Sequence, residues 1–228
     1  MTNKKLEKSA FFALKNWYSL IDSGNKKQAR DQAQLVINMC KNVLKSVRCG
    51  VDPENRNKAL CFGILFRGLQ DFVDLTEITD VPDWITEHAL IEKAWTKMWD
   101  CKERIEYASY FCHERTIEWV LSRIEFLEKV FFTTFGPGLY SSPEIIAKQE
   151  ICNVCKNDFR SCDHIAGRIY DGIRCLVKPK DIQLRRVSIV EAPKDPRCRI
   201  WSWRLREDNT TEICIMTTFR MDDFIDES

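Results

Sequence analysis

Gly136-Pro137-Gly138-Leu139-Tyr140-Ser141-Ser142-Pro143 decides how this chain is divided. Two glycines and two prolines within eight residues cannot continue a helix, because proline lacks the amide and glycine loses the most backbone entropy. Upstream of this break the apolar residues recur at helical spacing. Downstream the pattern turns to clustered cysteines and β-branched runs. The expectation is an α+β fold: an N-terminal helical bundle over 1–138, then a small zinc-stabilised, β-rich region over 139–228.

Working upstream, a first helix is predicted from about Lys4 to Ser23, with Leu6, Ala10, Ala13, Trp17 and Leu20 on one face. A second runs from about Lys26 to Val47, with Ala29, Ala33, Val36, Cys40 and Val43 aligned. The third, from about Pro53 to Thr76, is apolar nearly all round, as befits the centre of a bundle. Gly63 and Gly68 weaken it slightly and permit close helix packing. Asp80-Val-Pro-Asp83 reads as the opening of a fourth helix, since proline suits a first turn. That helix carries Trp84, Ile91, Trp95, Met98 and Ile105 and extends toward His113. A fifth spans about Arg115 to Phe132. Helical spacing alone accounts for the aromatic residues in these stripes, which therefore read as core.

Working downstream, Ser142-Pro143-Glu144 predicts a short helix with Ser142 as its cap. Leu184–Val190 is a strand candidate. Arg199–Leu205 and Ile213–Phe219 flank a polar loop and predict a hairpin.

Between these lies Cys152-Asn-Val-Cys155-Lys-Asn-Asp-Phe-Arg-Ser-Cys162-Asp-His164, followed by Gly167, Gly172 and Cys175. A Cys-x-x-Cys turn points two thiolates at one ion, and Cys162 with His164 can fold back as a second pair. Zinc takes four such ligands in a tetrahedron. Five candidates are present, so Cys175 can replace Cys162 or His164, and the spacing does not choose. The excess of sulfur ligands predicts a closed, structural zinc site rather than a catalytic one with an open position. Its role would be to order a region too small to bury an adequate core.

Charge is distributed unevenly. Residues 1–50 hold ten Lys/Arg against three Asp/Glu, 51–150 eleven against eighteen, and 151–220 fourteen against nine. Basic first helices facing an acidic middle would cancel much of this; a basic surface for nucleic acid or an acidic partner is the other reading. In the C-terminal part Arg185, Arg186, Arg197, Arg199, Arg204 and Arg206 accompany Trp201 and Trp203. Basic and aromatic residues interleaved on strands can follow a phosphate backbone and stack bases. Arg185, Arg186, Arg204 and Arg206 are the nucleic-acid-binding candidates, although an alternating strand with one core face explains the tryptophans as well.

Catalytic constellations are sparse. With His164 on metal, only His88 and His113 remain as conventional bases, and no Gly-rich phosphate loop or nucleophile-elbow motif is present. Glu103 with Glu106, or Glu125 with Glu128, could hold a hard cation, though solvated helix faces explain them too. No apolar run spans a bilayer, no secretory signal opens the sequence, and the eleven cysteines form no regular framework. A cytoplasmic protein without membrane association is expected.

The run from Cys152 to Cys175 resembles a Cys/His zinc-binding motif of prokaryotic and phage-associated proteins. Val187-Ser-Ile-Val-Glu-Ala-Pro-Lys-Asp-Pro196 resembles a strand-then-proline stretch near the end of the phage prohead protease family. The resemblance covers about residues 150–200, and that family's catalytic serine and histidine have no counterpart here. It implies shared local structure and a prokaryotic setting, not proteolysis. The expected function is a non-enzymatic zinc-containing interaction module, an accessory subunit of a prokaryotic nucleic-acid- or phage-related complex. A protein partner is expected first and nucleic acid second. The alternative is a metal-dependent hydrolase or nuclease using carboxylates of the helical region.

Overall fold

A computed structural model describes residues 3–46 and 52–204. Among them are five helices: α1 (Asn3–Asp22), α2 (Lys26–Lys45), α3 (Pro53–Thr79), α4 (His88–Ser109) and α5 (Arg115–Phe135). The strands are β1 (Leu139–Cys152), β2 (Ile169–Tyr170), β3 (Ile173–Arg174), β4 (Val177–Val190) and β5 (Arg199–Ile200). The fold is α+β. Its main sheet is antiparallel with order β4-β1-β5, and β2 pairs with β3. The described residues divide into two compact units, one built from 3–46 and 52–127 with 169–173, the other from 128–168 with 174–204.

The first unit is held by the stripes legible in its sequence. Leu6, Ala10, Ala13 and Trp17 of α1 are buried, as are Ala29, Ala33, Val36, Cys40 and Val43 of α2. In α3 the apolar residues are buried all round, Leu60, Ile64, Phe66, Leu69 and Val73 completely. Each such side chain contributes about 1.5–3 kcal/mol on leaving water. Gly68 makes a close crossing possible, since a Cβ there would lie 3.0 Å from Arg104 Cβ and Ile105 Cδ1.

Charge follows the cancelling pattern. Lys26 pairs with Asp80, Arg30 Nη2 lies 2.6 Å from Asp74 and 2.8 Å from Glu77, and Lys58 Nζ lies 3.4 Å from Glu7. The basic α2 thus faces acids of α3. Deeper in, Asp71 and Arg104 are both only 1 % exposed and pair directly, with Lys97 Nζ 2.8 Å from Asp71. A buried pair of this kind adds little against an apolar substitute, but losing one partner strands a charge at a cost of about 3–5 kcal/mol.

Two expectations fail here and two more in the second unit. The fourth helix does not begin at Pro82. Asp83 adopts a left-handed φ of 57°, Trp84–Thr86 forms a 3-10 turn, and α4 starts at His88. Helical hydrogen bonding resumes only where the Ile91 N–H donates to the Glu87 carbonyl. It also ends at Ser109, short of His113. Ser142-Pro143-Glu144 is no helix: it lies within β1, where Ser142 faces Ser188 and Pro143 faces Val187. Pairing with a strand some forty residues away overrides the local cap signal, and at Pro143 β1 is paired on one side only, since β5 reaches no further than Tyr140, so proline is tolerated as on an edge.

In the second unit β1 and β4 form a two-stranded ribbon, each strand fourteen residues long, with a bulge opposite Glu144/Ile145. At its first end β5 adds two pairs, Leu139 to Ile200 and Tyr140 to Arg199. Phe135 packs edge-on against Trp201 at 5.7 Å, and Trp201 stacks on Trp203 at 4.8 Å. Gly136 and Gly138 at φ 71° and 77° stop α5 and turn the chain into β1. Arg199, buried, donates from Nη2 to the Phe135 and Gly136 carbonyls at 2.9 Å and lies over the Trp201 ring. The expected strand Arg199–Leu205 therefore stops at Ile200, because Ser202–Arg204 turns into a 3-10 helix. Its hairpin partner Ile213–Phe219 lies outside the described residues.

Candidate metal centre

At the far end of the ribbon, Cys152 is the last residue of β1 and pairs with Val177, the first of β4. The turn that follows Cys152 is closed by two backbone bonds: the Lys156 N–H donates to the Cys152 carbonyl, and the Cys152 N–H to the Asn157 carbonyl, both at 2.9 Å. Lys156 closes the turn with φ 65°. Asp158 then caps a 3-10 turn at Phe159–Ser161, accepting from the Arg160 N–H at 3.0 Å. That turn delivers Cys162, whose N–H donates to the Phe159 carbonyl at 3.4 Å.

The result is one cluster. The ligand atoms of Cys152, Cys155, Cys162 and His164 all lie within 4.8 Å of one another. Among the described residues this is the one group of three or more ligand-type side chains drawn together. Cys152 is buried and the other three are half-buried. These four residues could hold a metal ion. Three sulfurs and an imidazole match the ligand preference of zinc, whose bonds of about 2.3 Å to sulfur place neighbouring thiolates about 3.8 Å apart in a tetrahedron. Cys175, the fifth sequence candidate, is not in the quartet but touches it, with Sγ 3.8 Å from Cys152 Sγ.

The electrostatics suit a thiolate site. Burial opposes ionisation of Cys152, but the Cys155 and Val154 amides and the Cys155 and Cys175 thiols outweigh it and bring the group down to about 6. Burial and the neighbouring sulfurs push Cys162 up, against the His164 amide that favours its thiolate. Burial and Cys152 push Cys175 up to about 11. One thiolate thus forms at the expense of its neighbours, and a cation would be needed to hold several together.

Asn153, inside the Cys-x-x-Cys turn, is not among the candidates that the ligand spacing marks. Its side chain donates to the Arg174 carbonyl at 2.9 Å and accepts from the Leu176 N–H at 2.8 Å. An amide between two ligand cysteines, able to act as donor and acceptor at once, was the available signal.

The remaining candidates fall elsewhere. Arg185 and Arg186 are exposed on β4 and both pair with Glu144, Arg185 at 3.0 Å. Arg204 ends the last 3-10 turn, and Arg206 lies outside the described residues. Trp201 is buried against Phe135, as a core residue would be. His88 and His113 are exposed, at the start of α4 and between α4 and α5. Glu103 and Glu106, and Glu125 and Glu128, sit on α4 and α5 and join no group of three ligand-type side chains among the described residues. No helix among the described residues is long and apolar enough to cross a membrane.

Comparison of the chain with family models, with curated proteins and with solved structures finds no match.

Proposed function

We propose that this chain is a non-enzymatic interaction module in which a structural zinc ion closes the end of a β-ribbon and so presents the ribbon to a protein partner. The observation that carries this reading is the position of the cluster. Cys152 ends β1, and the segment holding Cys155, Cys162 and His164 returns the chain to β4 at Val177. A two-stranded ribbon is marginal in water by itself. An ion at one end and the aromatic cluster at the other would fix the register between them. Four protein ligands leave no open position, so the ion would order structure rather than activate water.

The ribbon's middle supports the partner. Cross-strand neighbours and alternate residues share a face. That places Ile145 opposite Leu184 and Ala147 opposite Ile182 on one side. Ile145, Ile182 and Leu184 are 46, 52 and 56 % exposed, a contiguous aliphatic strip. Such strips mark protein–protein contact more than solvent-facing sheet. The setting implied by the sequence resemblance is a prokaryotic nucleic-acid- or phage-related complex, in which the chain serves as an accessory subunit.

Metal analysis of the purified full chain tests this. About one zinc per chain is expected in the wild type, lost in Cys155→Ala together with the ribbon's protection from hydrogen exchange. A metal-free wild type prepared without chelator overturns the reading. Nucleic acid is a second reading, favoured by Arg185 and Arg186 on a two-stranded ribbon, a shape the major groove admits. Binding that falls steeply with salt and weakens in Arg185→Ala/Arg186→Ala would replace the protein partner by a polyanion.

A further inference from the structure

Cys175 stands beside the quartet, and its stretch of backbone is held from two sides, one of them the metal turn. Asn153 brackets it: the Asn153 side chain binds Arg174 O and Leu176 N on either side of Cys175, and the Asn153 N–H donates to the Leu176 carbonyl at 3.1 Å. From the other side the Cys175 N–H donates to the Arg168 carbonyl at 2.7 Å, and its carbonyl accepts from the Gly167 N–H at 2.8 Å. The bracket leaves Cys175 Sγ 3.8 Å from Cys152 Sγ, with both residues fully buried. That separation equals the edge of a zinc–thiolate tetrahedron, about 3.8 Å for bonds of about 2.3 Å.

A merely space-filling residue would need no such fixation to the turn that supplies two ligands. His164, in contrast, sits on a short stretch whose neighbours Asp163, Ile165 and Ala166 are all exposed. Zinc takes four ligands, and a fifth candidate, the Cys175 sulfur, touches this quartet through Cys152. We infer that His164 and Cys175 share the fourth coordination position. Cys152, Cys155 and Cys162 form the constant three, and either of the other two completes the site. This rests on the cluster being a metal centre.

The inference requires non-additivity. On the full chain, zinc content and X-ray absorption are measured for the wild type, His164→Ala, Cys175→Ser and the double variant, with helical circular dichroism as the folding control. Each single variant is expected to keep close to one zinc per chain. His164→Ala should show four sulfur ligands, and Cys175→Ser three sulfurs and one nitrogen. The double variant should bind at least tenfold more weakly than either single. A zinc-loaded wild type with one single variant as empty as the double overturns the sharing and leaves the metal centre standing. A wild type without zinc overturns both. Should Cys175→Ser not fold, the cobalt-substituted His164→Ala protein decides: a four-thiolate charge-transfer spectrum supports the sharing, and a three-thiolate spectrum overturns it.

Discussion

The two units of this chain solve the same problem by different means. The first buries complete helical stripes, with Trp17, Leu60, Ile64, Phe66 and Trp95 each at most 1 % exposed. The second contains a ribbon of twenty-eight residues whose middle is open to solvent, anchored by aromatic rings at one end and a cluster of sulfurs at the other. Where apolar area is abundant, packing supplies the cohesion. Where it is scarce, a few strong, directional contacts must replace it. The contrast predicts that the units respond differently to the same perturbations.

Metal removal should separate them most sharply. Structural zinc sites of this ligand type carry roughly 10–16 kcal/mol of apparent binding free energy at neutral pH. A strong chelator should therefore abolish hydrogen-exchange protection along β1 and β4 while α2 and α3 keep theirs. Equal loss in both would show that the helical core depends on the ion and would erase the distinction.

The next largest effect belongs to the first unit. Asp71→Ala removes the carboxylate that pairs with the buried Arg104 and should cost about 3–5 kcal/mol in urea unfolding. The same change should leave zinc content unaltered. Replacing both residues by apolar side chains of similar volume should recover most of the loss, because the pair's desolvation is then avoided as well. A double variant as unstable as the single would assign the pair a net stabilising role.

Thiols offer a third comparison. Burial pushes Cys40 and Cys61 up to about 12. These groups are protonated in the folded chain over a range in which the unfolded chain has lost the proton. The folded state then binds more protons, so stability falls as pH rises from about 9 toward 12, by up to about 1.4 kcal/mol per pH unit for each thiol. Urea midpoints of the first unit measured across that range should decline, and Cys40→Ala should reduce the slope. Alkylation at pH 8 with peptide mapping provides the counterpart. Cys40 should resist until unfolding, whereas Cys155 should react once chelator is added.

The sequence disclosed the two units unequally, for a physical reason. Helical stripes are local, so Leu6 through Trp17 and Ala29 through Val43 could be read from spacing, and the Cys-x-x-Cys turn is equally local. Of the ribbon only Leu184–Val190, the second half of β4, was legible. Ser142-Pro143 carries a sound helix-cap signal that only its pairing with Val187 and Ser188 defeats. Pro82 misled in the same way, since a left-handed Asp83 and a 3-10 turn intervene before α4. Arg199 read as a surface cation among others, and only the fold turns it inward to hold the end of α5. Asn153 carries a local signal, an amide between two ligand cysteines, but its partners Arg174 and Leu176 are supplied only by the fold.

The smallest expected effect on stability tests the function. Ile182→Lys and Leu184→Asp alter an exposed strip and should change the folding free energy by no more than about 0.5 kcal/mol, since surface substitutions away from special features usually do. They place charge in the centre of the proposed docking face, where desolvation against a partner would be costly. The pairing register of β1 and β4 should survive, because the substituted side chains contact solvent rather than core. A stoichiometric complex formed by the wild type should therefore dissolve in the double variant with zinc content unchanged. If the substitutions instead destabilise the chain by several kcal/mol, the strip is covered in the protein itself and the ribbon is part of a core, not an interface.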